Sequence, residues 1–248
     1  MTEQVSFVVA GTQKGGTSAL DSYLRRHPQI CLPKQTKEVH YFDNDEYFRA
    51  GEPDASSYRA AFDLGPTRRL LGEATPIYMY WKPVPERMQR YNPAMKIIML
   101  LRNPITRAYS HWNHERQAGR EPLSFFEALL AEPERARLAL PQQLRRNSYI
   151  DRGFYTQQLA RMWRHFPAEQ TLVLGSEELQ SCPDRVLASI ADFLGVAAFP
   201  ETQPKTVFAS PYQRAMTVEE KNYLVGVFHE EVRELEHLLG WDCGHWLV

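Results

Sequence analysis

With 248 residues, 43% hydrophobic and 24% charged, the chain is long enough for one large domain with a sizeable core and has an ordinary soluble composition. A formal net charge of −1 gives no global attraction to nucleic acid or to an anionic membrane, and with apolar runs of about six residues neither a leader h-region nor a spanning helix, which needs roughly 18, is expected. Cys31, Cys182 and Cys243 are too scattered for a metal-ligand pair or a disulfide framework, so no metal is expected and a reduced cytoplasm is the expected home.

The apolar run Val5–Ala10 feeds Gly11-Thr12-Gln13-Lys14-Gly15-Gly16-Thr17-Ser18, and a helix-like segment follows over Ala19–Arg26. A strand, a glycine-rich turn and a helix make a site for a phosphate-like anion. The glycines let backbone N–H groups turn inward, and the helix N-terminus adds partial positive charge. Lys14 brings a full charge to the same point. Lys37-Glu38-Val39-His40-Tyr41-Phe42-Asp43 then places a carboxylate and an imidazole two residues apart.

Buried strands are predicted at Phe7–Ala10, Lys96–Leu101 and Thr171–Leu174, with a weaker one at Leu70–Ala74. Helices are predicted over Pro85–Tyr91, Ile105–Gln117, Phe125–Leu130, Thr156–His165, Arg185–Leu194 and Val218–Leu239. Such alternation predicts an α/β fold, a single domain over residues 1–248 whose central parallel sheet is flanked by helices. Ligands on such sheets bind at the carboxyl ends of strands, which places the Gly11–Thr17 loop, Glu73-Ala74-Thr75 and Arg102 on one rim.

Pro122, Pro133 and Pro141 punctuate Arg120–Ser148, which reads as short helices and turns. Its Arg135, Arg137, Arg145 and Arg146 make either a solvated surface or a basic lip facing an acceptor. Tyr78, Tyr80 and Trp81 are candidates for lining an acceptor cleft, while Trp163, Phe166 and Phe193 have core spacing. His111 and His114 lack the partners a metal site needs. Phe199–Met216 is a loop long enough to be functional.

The glycine loop is P-loop-like but departs from G-x-x-x-x-G-K-[ST], because Lys14 precedes the last glycines. The strand Ile97–Leu101 ends in Arg102-Asn103-Pro104 rather than in a magnesium-holding aspartate. A planar guanidinium there suits phosphate oxygens, and on a helix from Ile105 the Ser110 hydroxyl lies about two turns in. Phosphates at two places are thus expected. A P-loop-type nucleotide kinase and a non-catalytic anion- or glycan-binding module remain the alternatives.

Gln13-Lys14-Gly15-Gly16-Thr17-Ser18 resembles the 5′-phosphosulfate loop of sulfotransferases that use 3′-phosphoadenosine 5′-phosphosulfate (PAPS), and Leu101-Arg102-Asn103-Pro104 with Arg107 and Ser110 resembles their 3′-phosphate motif. The Lys37–Asp43 segment is similar to the catalytic segment of the heparan sulfate O- and N-sulfotransferase branch. Gly72-Glu73-Ala74-Thr75-Pro76, Val84-Pro85-Glu86-Arg87 and Gly153–Pro167 extend the likeness, which runs from about Phe7 to Gly240.

The resemblance implies metal-independent in-line transfer of a sulfuryl group to an acceptor hydroxyl or amine, leaving the desulfonated product PAP. Lys14, Gly15, Gly16, Thr17, Ser18, Arg102, Ser110 and Arg214 would bind the donor, and Lys14 would also stabilise the leaving phosphate. Glu38 would be the general base, its pKa raised by apolar neighbours, with His40 positioning the acceptor, tuning Glu38 or serving structure alone. Two departures stand out. Ala74 replaces a lysine of the 3-O branch that contacts substrate, and Tyr212-Gln213-Arg214 replaces Lys-Gly-Arg in the donor-covering loop, where Tyr212 would stack on adenine or pack. The branch's C-terminal disulfide is missing too. The implied acceptor is a small molecule, a lipid or a glycan, free or bound to a carrier protein.

Overall fold

Phe7–Gly11 forms β1 with every residue buried, because an apolar run with no polar face belongs in the middle of a sheet covered on both sides. The computed structural model describes residues 4–63, 70–200, 212 and 214–248. After β1 come α1 (Thr17–Leu24), β2 (Ile30–Cys31), α2 (Ser56–Arg59), β3 (Leu70–Ala74), α3 (Val84–Tyr91), β4 (Lys96–Leu101), α4 (Pro104–Gln117) and α5 (Phe125–Ala139). The remainder are α6 (Tyr155–Trp163), β5 (Thr171–Gly175), α7 (Ser176–Ser181), α8 (Pro183–Leu194) and α9 (Val218–Leu239). The described residues fall into two compact units, within Met1–Leu101 plus Arg161–Phe208 and within Arg102–Ala160 plus Ala209–Val248.

The first unit carries the sheet, all parallel, in the order β2-β3-β1-β4-β5. β1 lies between β3 and β4, pairing Val8 with Glu73 and Val9 with Ile98. The chain leaves β1 toward one edge and later continues from β4 toward the other, so the loop after β1 sits at the reversal of strand order where such sheets bind ligands. On one face Phe7, Val9, Ile98 and Leu100 join Leu20 and Leu24 of α1 and Val186, Leu187 and Ile190 of α8 in one apolar cluster. Val8, Ala10, Ile97 and Met99 alternate to the opposite face and are equally buried. β2, only two residues long, has no sequence pattern of its own and is held by pairing with β3.

In the second unit Asn103 caps α4, its side chain accepting the N–H groups of Ile105 at 2.9 Å and Thr106 at 3.4 Å, while Pro104 takes the first helical position. Asn-Pro is therefore a helix start. α5 corrects the expectation of short helices and turns, since it runs through Pro133 to Ala139. A reciprocal Ser124–Glu127 capping box starts it. One residue before the proline, the buried Glu132 carboxyl accepts the N–H groups of Ile150 at 2.7 Å and Asp151 at 2.8 Å, which anchors the helix where its own ladder is interrupted. Thr217 and Glu220 cap α9 in the same way as α5.

Candidate active site

The loop after β1 is anchored by Thr12, whose N–H donates to the Leu100 carbonyl of β4 at 2.8 Å. Gly15 passes so close to that strand that an added Cβ would stand 2.7 Å from the same carbonyl oxygen. Lys14 and Gly16 both adopt left-handed backbone, with φ of 68° and 93°. Such alternation turns successive N–H groups to one side, making a concave anion nest. Gly16 is also the N-cap of α1 and offers no side-chain cap, so the cap position is left for an anion. These features fit a phosphate-bearing donor.

The segment Lys37–Asp43 has no regular structure and is held by side chains from beneath. The Thr75 hydroxyl accepts the Val39 N–H at 3.1 Å, and the Tyr78 hydroxyl accepts those of Tyr41 at 2.9 Å and Phe42 at 3.3 Å. Both hydroxyls donate to the buried Glu73 carboxylate, Thr75 at 2.6 Å and Tyr78 at 3.1 Å, and Tyr58 donates to it at 2.5 Å. Burial pushes the Glu73 carboxyl above its usual range against these three bonds. Arg87 fixes the far end of the segment, donating to the Phe42 carbonyl at 2.8 Å and to Asp45 at 2.7 Å. The motifs around Glu73 and Arg87 thus hold the Lys37–Asp43 segment in position.

On that platform His40 stands between two carboxylates. Its Nε2 is 3.3 Å from Glu38 Oε2 and its Nδ1 is 3.0 Å from Oδ2 of Asp43, whose side chain is fully buried. The Asp43 hydrogen bond, then the Glu38 one, raise the imidazole pKa to about 9, so His40 is an imidazolium at neutral pH. His40 itself has φ 55°, a left-handed conformation that side chains rarely adopt and that surrounding contacts must enforce.

The expectation of a raised Glu38 pKa is corrected. Burial pushes that carboxyl up, but the His40 hydrogen bond and the Lys37 charge outweigh it, leaving the group below its usual range. The apolar neighbours that were to desolvate it point elsewhere: Tyr41 and Phe42 are buried in an aromatic cluster with Tyr58 and Tyr78. Lys37, which sequence reasoning passed over, reaches Glu38 Oε1 at 3.4 Å, Thr17 Oγ1 at 3.0 Å and Ser18 Oγ at 3.1 Å. The spacing of Lys37 from Glu38 carries no signal, since both contacts depend on how an irregular loop lies against α1.

In the second unit Arg102 Nε donates to Thr106 Oγ1 at 3.1 Å. Thr106 and Ser110 are one turn apart on α4, so all three share a stripe that is only half-buried. Arg107, by contrast, is fully buried and donates to the Tyr149 carbonyl, a structural role. Arg214 gives its guanidinium to Glu220, the capping residue of α9, and lies over Trp112. Tyr212 stacks on Tyr109 with centroids 5.3 Å apart. Gln213 and most of the Phe199–Met216 loop lie outside the described residues.

Two surface expectations change. Arg135 belongs to no free basic lip, since it forms a two-pronged pair with buried Glu121 at 2.6 and 3.0 Å. Tyr78, Tyr80 and Trp81 are buried rather than lining a cleft. Among the described residues, no cluster of His, Cys, Asp and Glu is placed to hold a metal ion, and no helix is long and apolar enough to cross a membrane.

The family model described as "Sulfotransferase domain" matches residues 5–223. A crystal structure of a sulfotransferase from Alicyclobacillus acidocaldarius is similar over 99% of both chains, with a TM-score of 0.84 and 31% identity. Mouse heparan sulfate glucosamine 3-O-sulfotransferase 5 is 29% identical over 192 residues, 76% of this chain and 53% of that protein. Human bifunctional heparan sulfate N-deacetylase/N-sulfotransferase 3 is 30% identical over 200 residues, 77% of this chain and 22% of that protein. The chain therefore spans about half the length, or less, of these curated relatives.

Proposed function

The chain belongs to the sulfotransferase domain family, and on that premise we propose that it transfers a sulfuryl group from PAPS to a hydroxyl of a carbohydrate-type acceptor. One observation carries the reading. The Lys37 ammonium touches both the hydroxyls at the start of α1 and the Glu38 carboxylate, so an anion cradle and a base adjoin one another.

When bound, the donor supplies the sulfuryl group: its bond from sulfur to the 5′-phosphate oxygen breaks, the electron pair staying on that oxygen, as the acceptor oxygen bonds to sulfur. Lys14 and the amides of Gly16, Thr17 and Ser18 would face the 5′ end, meeting charge where it develops, while the Gly15 N–H is held by the Thr12 carbonyl at 2.9 Å. Arg102 and Ser110 would hold the 3′-phosphate, a fork and a hydroxyl suited to its oxygens. Glu38 accepts the acceptor's proton at a carboxylate oxygen, ionised over the whole neutral range by its lowered pKa. His40, locked by Asp43, holds that carboxylate in place. Arg214 is engaged with Glu220 and is left out of the donor set.

The test is a calorimetric titration of PAP with and without magnesium, on wild type and Glu38→Gln. Metal-independent binding by both proteins, with turnover lost in the variant by about 10²–10⁴-fold, is the expected result. Absence of PAP binding overturns the donor, a need for magnesium favours a kinase, and surviving turnover moves the base elsewhere. A screen of carbohydrate, lipid and carrier-bound acceptors with labelled sulfate identifies the acceptor.

A further inference from the structure

We infer that Lys37 is a sulfuryl-recognition residue, the group that distinguishes the charged donor from its spent product; the inference rests on the donor reading above. An ammonium has three donors and no acceptor. Those of Lys37 have three acceptors in reach: Thr17 Oγ1 at 3.0 Å, Ser18 Oγ at 3.1 Å and Glu38 Oε1 at 3.4 Å. Two belong to the first turn of α1, where the anion cradle opens, and the third is the proposed base. The cation therefore sits on the boundary between the leaving-group side and the acceptor side. In an in-line transfer the sulfur occupies that boundary, between the oxygen it leaves and the oxygen it joins.

The chemistry of the contacts supports exchange. Two of the three partners are neutral hydroxyls, and a hydrogen bond from an ammonium to an anionic oxygen is roughly twice as strong as one between neutral groups. The side chain is 22% exposed, enough for a ligand oxygen to reach the ammonium while bulk water is largely kept away. Lys37 comes from the irregular segment preceding Glu38, not from α1, so a sulfuryl oxygen can replace a hydroxyl without disturbing the helix. On the donor reading above, Lys14 and the amides at the start of α1 serve the phosphate. Lys37 is the cation placed for the group beyond it.

A purely structural reading has Lys37 tying the base segment to α1, and the two make opposite predictions for binding. Without acceptor no transfer occurs, so affinities for PAPS and PAP can be compared by calorimetry on the full chain. Lys37→Met is expected to weaken PAPS at least about tenfold, the loss of one charge-assisted hydrogen bond, while PAP stays within about threefold. Lys37→Arg is expected to restore part of the PAPS affinity. Equal losses for both ligands, or no loss for either, overturn the assignment. If wild type binds neither ligand, the donor reading falls and this inference with it, whereas wild-type binding with an indifferent variant removes only the role of Lys37.

Discussion

The hydroxyl of Tyr78 accepts the Tyr41 N–H at 2.9 Å while donating to Glu73 at 3.1 Å, so one buried phenol couples the end of β3 to the loop that carries the proposed base, Glu38. Tyr78→Phe keeps the ring among its aromatic neighbours and removes that link. The Tyr41 and Phe42 amides would then lose their partner, at a cost of about 1–3 kcal/mol for each group left buried and unsatisfied. Turnover is expected to fall by roughly 10²-fold through displacement of Glu38, with PAP affinity unchanged. Urea unfolding and single-turnover kinetics check both, and wild-type kinetics in a destabilised variant would reduce the network to scaffolding.

The His40 pair makes a pH prediction. Its pKa is raised from 6.5 to about 9, chiefly by Asp43, so its protonated form is favoured by folding. The stabilisation is fully present below pH 6.5 and is lost as pH rises through about 9. An NMR titration of the imidazole should place its midpoint near 9 in wild type and back toward 6.5 in Asp43→Asn. A wild-type midpoint near 6.5 would mean the two carboxylates do not act on the ring.

Arg102 and Arg107 lie five residues apart, yet their substitutions should separate cleanly. Arg102→Ala is expected to weaken PAP by roughly 30-fold or more, as for loss of one side of a charged hydrogen-bonded contact, and to leave the melting temperature close to wild type. Arg107→Ala removes a fully buried guanidinium that holds the Tyr149 carbonyl, and should lower stability by several kcal/mol. Thermal melts with PAP calorimetry distinguish the two; a thermally fragile Arg102 variant would contradict the division.

Gly72 lies in β3 where an added Cβ would stand only 2.1 Å from the Phe7 ring of the neighbouring strand. Gly72→Ala must push that ring out of a sealed interface, and should cost about 1–3 kcal/mol in unfolding experiments. The companion variant Phe7→Leu, which removes the ring, is expected to recover part of the loss if the clash is the cause.

Elements with strong periodicity or clear end signals follow from the linear order of residues alone. β4 and α9 have the bounds that their apolar patterns predict, since a strand with five consecutive buried apolar residues and a long amphipathic stretch closed by Gly240 each admit one local solution. The loop after β1, Glu38 and Arg102 stand out as candidates for a similar reason: glycine spacing and charge type are local features of the chain. Effects made by residues distant in the chain emerge only on folding. α5 continues past Pro133 because Glu132 finds the Ile150 and Asp151 amides. Arg135 turns inward because Glu121 is buried beside it. The direction of the Glu38 pKa depended on whether desolvation or neighbouring cations dominated, and that depends on distances no linear pattern encodes. Lys37 meets Thr17 and Ser18 twenty and nineteen positions away, so its place between the start of α1 and Glu38 appears only once the chain is folded.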